Sequence, residues 1–250
     1  MEFPGISVGG GFAGTAGESS SFRYGFFDRT INWIEMVLAN GEIVKASSTT
    51  KSDLFYGAAS SFGTLGVIAE AQVEIEKATE DTSTHYLDGI MYSKDNGVIF
   101  QGFTRPTDPW FYIHVQRLMM GRTSPATEAV PIVDYLFRYN RGGLWVAKYA
   151  YNYFITPFNR ITRYLLDYFM HTRVMYHAFH QSGLSSYYNI QDVAVPYKEA
   201  ATFMTYLDTN FKHYPIWLYP LKQSGNASTH SLQVLKIKQQ CPEMMLNFGV

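Results

Sequence analysis

The chain has 250 residues, a formal net charge of −1 and 46% hydrophobic residues. That length and apolar content suffice for a sizeable core in one large or two small domains and exclude global disorder, and the near-neutral balance argues against a general nucleic-acid binder. A single cysteine, Cys241, excludes an internal disulfide framework and a cysteine-based metal cluster.

The first stretch with a chemical signature is SVGGGFAGTAGESSS, residues 7–21. Glycines let main chain approach a ligand and adopt positive φ. Successive N–H groups then form a concave anion site, to which Ser and Thr hydroxyls add donors. The stretch reads equally well as a flexible surface loop. It is not a Walker A loop, because no Gly-Lys-Ser/Thr follows, and no helical pattern opens behind the glycines as in a dinucleotide fold. The residues ahead of it lack the basic and apolar regions of a signal peptide.

Residues 31–46 (INWIEMVLANGEIVKA) predict a β-hairpin, with Asn40-Gly41 suited to a type I′ turn. Ser52-Asp53 is placed to cap a short helix through Ser61. Residues 69–76 alternate, with Ala69, Ala71, Val73 and Ile75 on one face, as in a half-buried strand. Residues 77–85 are polar and read as a linker. LDGIMYS (87–93) and GVIFQGF (97–103) read as two more strands, joined through Lys94-Asp95-Asn96-Gly97, and 104–109 as a turn-rich break. From Pro131 to Tyr176 the sequence is aromatic and helical in parts. Residues 197–211 predict an amphipathic helix with Ala200, Phe203, Met204, Leu207 and Phe211 on one face and Pro196 at its start. The fold class is α+β. No segment is long and apolar enough for a transmembrane helix; the best, 54–69, is short and interrupted by Gly and Ser.

The order of features resembles the second half of the flavin-binding domain of the PCMH-type, or vanillyl-alcohol-oxidase, superfamily. Three segments carry the likeness: Val8–Ser21, VLANGEIV (37–44) and SDLFYGAASSFGTLGVI (52–68). GESSSFRYGFF (17–27), LDGIMYS, QDVAVPYKEA (191–200) and HYPIWLYP (213–220) are further similar to the Delta(24)-sterol reductase, Diminuto-like, branch. Residues 223–240 do not share that likeness, and the order at Ala16-Gly17 departs from it. The resemblance implies the C-terminal half of an FAD-binding domain over 1–78 and an α+β cap or substrate domain over 79–250, incomplete at its C-terminus. It implies non-covalent FAD held by Ser7, Val8, Gly9, Gly10, Gly11, Gly14, Thr15, Ala16, Gly17, Glu18, Ser19 and Ser20, and by Gly63, Gly66, Val67 and Ile68. The assignment requires main chain near the start of the polypeptide to be non-helical and turned toward a cleft. The family's N-terminal half-domain is absent from this sequence, so FAD affinity is expected to fall sharply.

The resemblance further implies that NADPH reduces the flavin, which passes hydride to a carbon–carbon double bond in the side chain of a sterol, at a membrane-associated location in the endoplasmic reticulum. Other flavin oxidases of the superfamily, or an inactive fragment with a binding role, are the alternatives. An apolar slot would draw on Tyr92, Trp110, Tyr187, Tyr188, Asp192 and Trp217, since Tyr and Trp join apolar area to a polar handle; a core role serves Trp217 as well. Tyr188 and Asp192 are the candidates for proton donation. His177 and His180 have helical i, i+3 spacing, but no HExxH pattern or partner carboxylate accompanies them, so no metal is expected. Residues 138–173 hold six Arg/Lys against one acid, Asp167, among ten aromatics. That composition suits a membrane surface; it suits equally a helical cap with aromatics inside and Arg outside.

Overall fold

The computed structural model describes residues 2–73, 86–101, 110–122, 124, 126, 131–188, 191–222 and 244–249. The predicted linker 77–85, the break 104–109, Cys241 and the segment 223–240 lie outside them. Helices and antiparallel sheets make the fold α+β. No helix among the described residues is long and apolar enough to cross a membrane.

The hairpin forms as β1 (Ile31–Val37) and β2 (Ile43–Ser47), and β3 (Val67–Val73) pairs antiparallel on the other side of β1. Its turn is not type I′. Gly41 has φ 82° while Asn40 does not have positive φ, and the Gly41 N–H bonds to the Leu38 carbonyl at 2.9 Å. A longer loop with one left-handed residue meets the same demand for reversal. One face of this sheet is buried: Ile34, Met36, Val44 and Ala46 lie on the side of Phe12 of α1 (Val8–Ala13) and of Phe55 and Ala58 of α3 (Ser52–Ala58). Burying one such large apolar group contributes about 1.5–3 kcal/mol by removing it from water.

Two local expectations are corrected here. Ser52 does not cap α3; it is the first helical residue, Lys51 takes the cap position with φ 48°, and the helix stops at Ala58. In β3, Met36 pairs with Ile68 and Glu35 with Glu70, so Ala69 is bulged out and exposed. The extra residue shifts the alternation, and Ile68 instead of Ala69 joins Ala71 on the packed side.

The second sheet holds β4 (Leu87–Ser93), β5 (Asn96–Gln101), β6 (Asp192–Pro196), β7 (Ile216–Lys222) and β8 (Met244–Gly249), in the order β5-β4-β7-β8-β6. β7 serves both faces. Ile216 and Leu218 meet Ala200, Phe203, Met204 and Leu207 of α9 (Tyr197–Asn210), as the amphipathic pattern predicts; Phe211 falls past the helix end and is 53% exposed. The helices between these strands include α4 (Phe111–Met119), α5 (Ile132–Leu136), α6 (Val146–Tyr153), α7 (Arg160–Leu165) and α8 (Thr172–Gln181); Trp217 and Tyr219 share a buried cluster with residues of α4, α6 and α8.

Candidate functional site

The glycine-rich segment departs from the open, non-helical loop expected of it. Val8–Ala13 is a short helix, α1, because Ser7 caps it: the Gly10 N–H donates to Ser7 Oγ at 3.0 Å and the Gly11 N–H to the Ser7 carbonyl at 2.8 Å. Phe12, fully buried against Phe55 with ring centres 5.5 Å apart, anchors it. Most amides of the stretch are spent internally. Gly14 bonds to Gly10, Thr15 to Phe12 and Ala16 to Gly11, while Glu18 N–H reaches Ser21 Oγ. Val8 and Gly9, in the first turn, have no intrahelical acceptor.

The structure does bring the two predicted glycine segments side by side. A Cβ on Gly9 would lie 3.2 Å from the Ile68 carbonyl oxygen, so α1 sits directly on β3. The Phe62 N–H bonds to the Ala13 carbonyl at 3.0 Å, and Thr15 Oγ1 lies 3.1 Å from Ser60 Oγ. Gly66 adopts φ 153°, where a Cβ would stand 2.6 Å from the Val37 carbonyl oxygen. Its place therefore requires glycine. Ser7, Val8, Gly10, Gly63 and Val67 are exposed along this junction, with Gly66 half-buried.

The end of the segment turns inward. A Cβ on Gly17 would collide with the Tyr219 phenol oxygen, and that buried hydroxyl has no hydrogen-bond partner among the described residues. Ser20 stands at the N-cap position of α2 (Ser21–Tyr24). Ser19 is fully buried, and both its N–H and its hydroxyl donate to the Glu2 carboxylate. Arg138 then links Glu2 (3.1 Å) to Asp88 (2.7 Å), whose Oδ2 also accepts from Tyr139 Oη at 2.8 Å and Trp217 Nε1 at 3.0 Å. Burial pushes the Glu2 carboxyl upward, but Arg138 and the Ser19 donors outweigh it and leave it below its ordinary value. Burial and the nearby Glu2 charge raise Glu18 to about 8, and burial raises Asp88 to about 6 against the pull of Arg138. Sequence reasoning missed this cluster. Its one local signal was an aspartate, Asp88, inside an otherwise apolar strand.

Of the slot candidates, Tyr92, Trp110 and Trp217 share one hydrophobic cluster, where they fill core; Tyr187, Tyr188 and Asp192 lie apart from it. Trp110 packs on Tyr151 and Phe158, and Tyr92 donates to the Tyr112 carbonyl at 2.5 Å. Trp217 is a core residue, the second of its two sequence readings. Tyr187 is 83% exposed, Tyr188 lies against Phe179, and Asp192 accepts from Asn247 at 3.0 Å. A concavity of about 440 Å³ lies elsewhere, lined by Phe3, Pro4, Gly5, Ile6, Phe137, Asn140 and Arg173. Among the described residues no group of three or more His, Cys, Asp or Glu is placed to hold a metal.

The 138–173 region does not sort into aromatics inside and Arg outside, as the cap reading expects. Arg138 and Arg163 are buried, Arg141 is held by Asp167 at 2.8 Å, and several aromatics stand outside.

No family model matches the sequence. Comparison with known proteins finds likeness to proteins named as a reductase and a dehydrogenase. It is 28% identical over 263 residues to Delta(24)-sterol reductase of Rattus norvegicus, covering 88% of this chain and 50% of the relative. The Arabidopsis thaliana Delta(24)-sterol reductase is 27% identical over 277 residues, covering 88% and 48%. Cytokinin dehydrogenase 4 of Oryza sativa subsp. japonica is 34% identical over 73 residues, covering 29% and 14%. The sequence is therefore similar to the Delta(24)-sterol reductases, as its blocks implied, with a shorter likeness to a cytokinin dehydrogenase. It spans about half the length of the curated sterol reductases it matches.

Proposed function

We propose that this protein is part of an FAD-dependent oxidoreductase that uses electrons from NADPH to reduce a carbon–carbon double bond in the side chain of a sterol, and that it divides at about residue 78 into a flavin-binding part and a substrate part. The observation that carries the reading is the adjacency of the two glycine segments, Ser7–Ala16 and Gly63–Ile68, on one exposed junction beside β3. The similarity to sterol reductases across 88% of the sequence supports it. The fit to FAD is partial. The junction offers the Val8 and Gly9 amides and the main chain around Gly63–Gly66, but α1 makes the leading segment helical, against the requirement set from the sequence, and removes the run of open amides expected of a diphosphate cradle; the reading therefore rests on the junction and on the sequence likeness. When bound, FAD supplies the hydride chemistry; the residues of this junction would hold the cofactor's phosphates and adenosine close to the backbone. A membrane-surface contact through 138–173 belongs to the same reading, since a sterol is drawn from a bilayer.

A flavin titration of the purified protein, followed by flavin fluorescence, tests it. We expect weak but saturable 1:1 binding that Val8→Glu weakens at least about tenfold, because a carboxylate in the first turn repels phosphate while suiting the helix. Absence of saturable binding sinks the flavin reading. Sterol assignment is tested separately by NADPH-dependent gain of two hydrogens on a sterol with a side-chain double bond.

A further inference from the structure

Helix α7 is inside out. Ile161, Tyr164 and Leu165, at i, i+3 and i+4, form its apolar stripe, yet they are 71%, 81% and 70% exposed. Arg163 is instead 7% exposed, its guanidinium 5.1 Å from the Phe158 ring centre. Tyr153, Phe154 and Ile155 before the helix and Tyr168 and Phe169 after it are also more than half exposed. The local structure is fixed: Asn159 and Thr162 form a capping box, and Thr162 Oγ1 donates to the Pro157 carbonyl. Ile155, at 92% exposure and φ 51°, stands outward on a turn. Eight large apolar side chains thus stand exposed within residues 153–169, far beyond the singly scattered apolar residues of an ordinary exterior.

We propose that this surface inserts into the interfacial layer of a phospholipid bilayer. A protruding apolar patch suits a fluid that closes around it, and three tyrosines among Ile, Leu and Phe match the chemistry of the headgroup boundary. The charge agrees. Asp167 is the one acid between Asp134 and Asp192, and it is held by Arg141; Arg160 is exposed on α7 beside the patch, where lipid phosphates would lie. The inference deepens the surface contact named above and changes its nature. With Arg138 and Arg163 buried and Arg141 paired, apolar insertion drives the contact, and electrostatic attraction is secondary.

Flotation of the 250-residue protein with phosphatidylcholine vesicles, free of sterol and flavin, tests it. The protein is expected to float with the vesicles and to stay bound when salt is raised from about 0.05 to about 0.5 M, which shortens the screening length severalfold. Ile161→Ser/Leu165→Ser should reduce bound protein at least about tenfold. Ile155→Asn, which introduces a residue that tolerates the positive φ, should reduce it severalfold with an unchanged melting temperature. A native protein that stays in solution, release by salt, or variants that float equally well overturn the proposal. So does light scattering that finds a dimer dissolved by the double substitution, which would assign the surface to a second copy. Failure here leaves flavin binding untouched, and a protein that binds no flavin can still float.

Discussion

Arg138 is the residue whose loss should be felt most. Its side chain is 1% exposed, and it bridges the carboxylates of Asp88 and Glu2, themselves 0% and 3% exposed, at 2.7 and 3.1 Å. Arg138→Met keeps much of the packing between Tyr135 and Tyr139 but strands two buried acids. Removing one partner of a buried pair costs about 3–5 kcal/mol, because the other charge stays desolvated. The loss is not doubled here, since Asp88 already titrates at about 6 and takes up a proton once its cation is gone. Urea unfolding followed by circular dichroism should therefore show a deficit of about 3–5 kcal/mol at pH 7.5 and a clearly smaller one at pH 5. Adding Asp88→Asn should return more than about 1 kcal/mol at pH 7.5 by removing one stranded charge. A deficit below about 1 kcal/mol, or one that does not change between the two pH values, would refute the reasoning.

Three further outcomes follow from the same structure. Glu18 and Asp88 bind protons more tightly folded than unfolded, so native stability should fall as pH rises, from the ordinary 4.5 of a glutamate through about 8 for Glu18 and from 3.8 through about 6 for Asp88. Glu18→Gln should flatten the upper limb in thermal melts between those limits; equal slopes in both proteins speak against a buried, protonated Glu18. Gly17→Ala should destabilise by about 1–3 kcal/mol through collision with Tyr219, whereas Gly41→Ala, with open space around it but φ 82°, should lose only about 1 kcal/mol of backbone strain; comparable denaturation midpoints for the two would contradict this packing. Leu207→Ala should cost about 2–5 kcal/mol by opening a void between α9 and β7, and a loss under about 1 kcal/mol would mean that α9 does not seal that face.

Short-range patterns were legible in the sequence. The 31–46 hairpin, the strands at 87–93 and after 96, and the face of α9 all rest on periodicity and turn residues within about a dozen positions. What escaped depends on distant partners. The Ala69 bulge arises from the fit of β3 to β1 and leaves no local mark. The α1 helix hides behind glycines that disfavour helices; the Ser7 cap and the burial of Phe12 overrule that preference. For the candidate site, the resemblance located both glycine segments, and the structure supplied their adjacency. The cluster of Glu2, Ser19, Asp88 and Arg138 joins positions up to 136 residues apart, and no window of sequence contains it. The direction of the basic side chains at 138–173 was equally hidden, because composition does not say which face of α7 is covered.

The Glu2–Ser19–Arg138–Asp88 cluster has a mechanical consequence. Glu2 and Ser19 are tied to the five-stranded sheet, through the Arg138–Asp88 ion pairs and the Leu87 N–H to Ser19 carbonyl bond, while α1 between them lies on the three-stranded one. The leading segment is a strap across both bodies. A protease nick between Val73 and Tyr86 would sever the covalent route and still release nothing, the two pieces travelling together until acid or denaturant undoes the ionic knot.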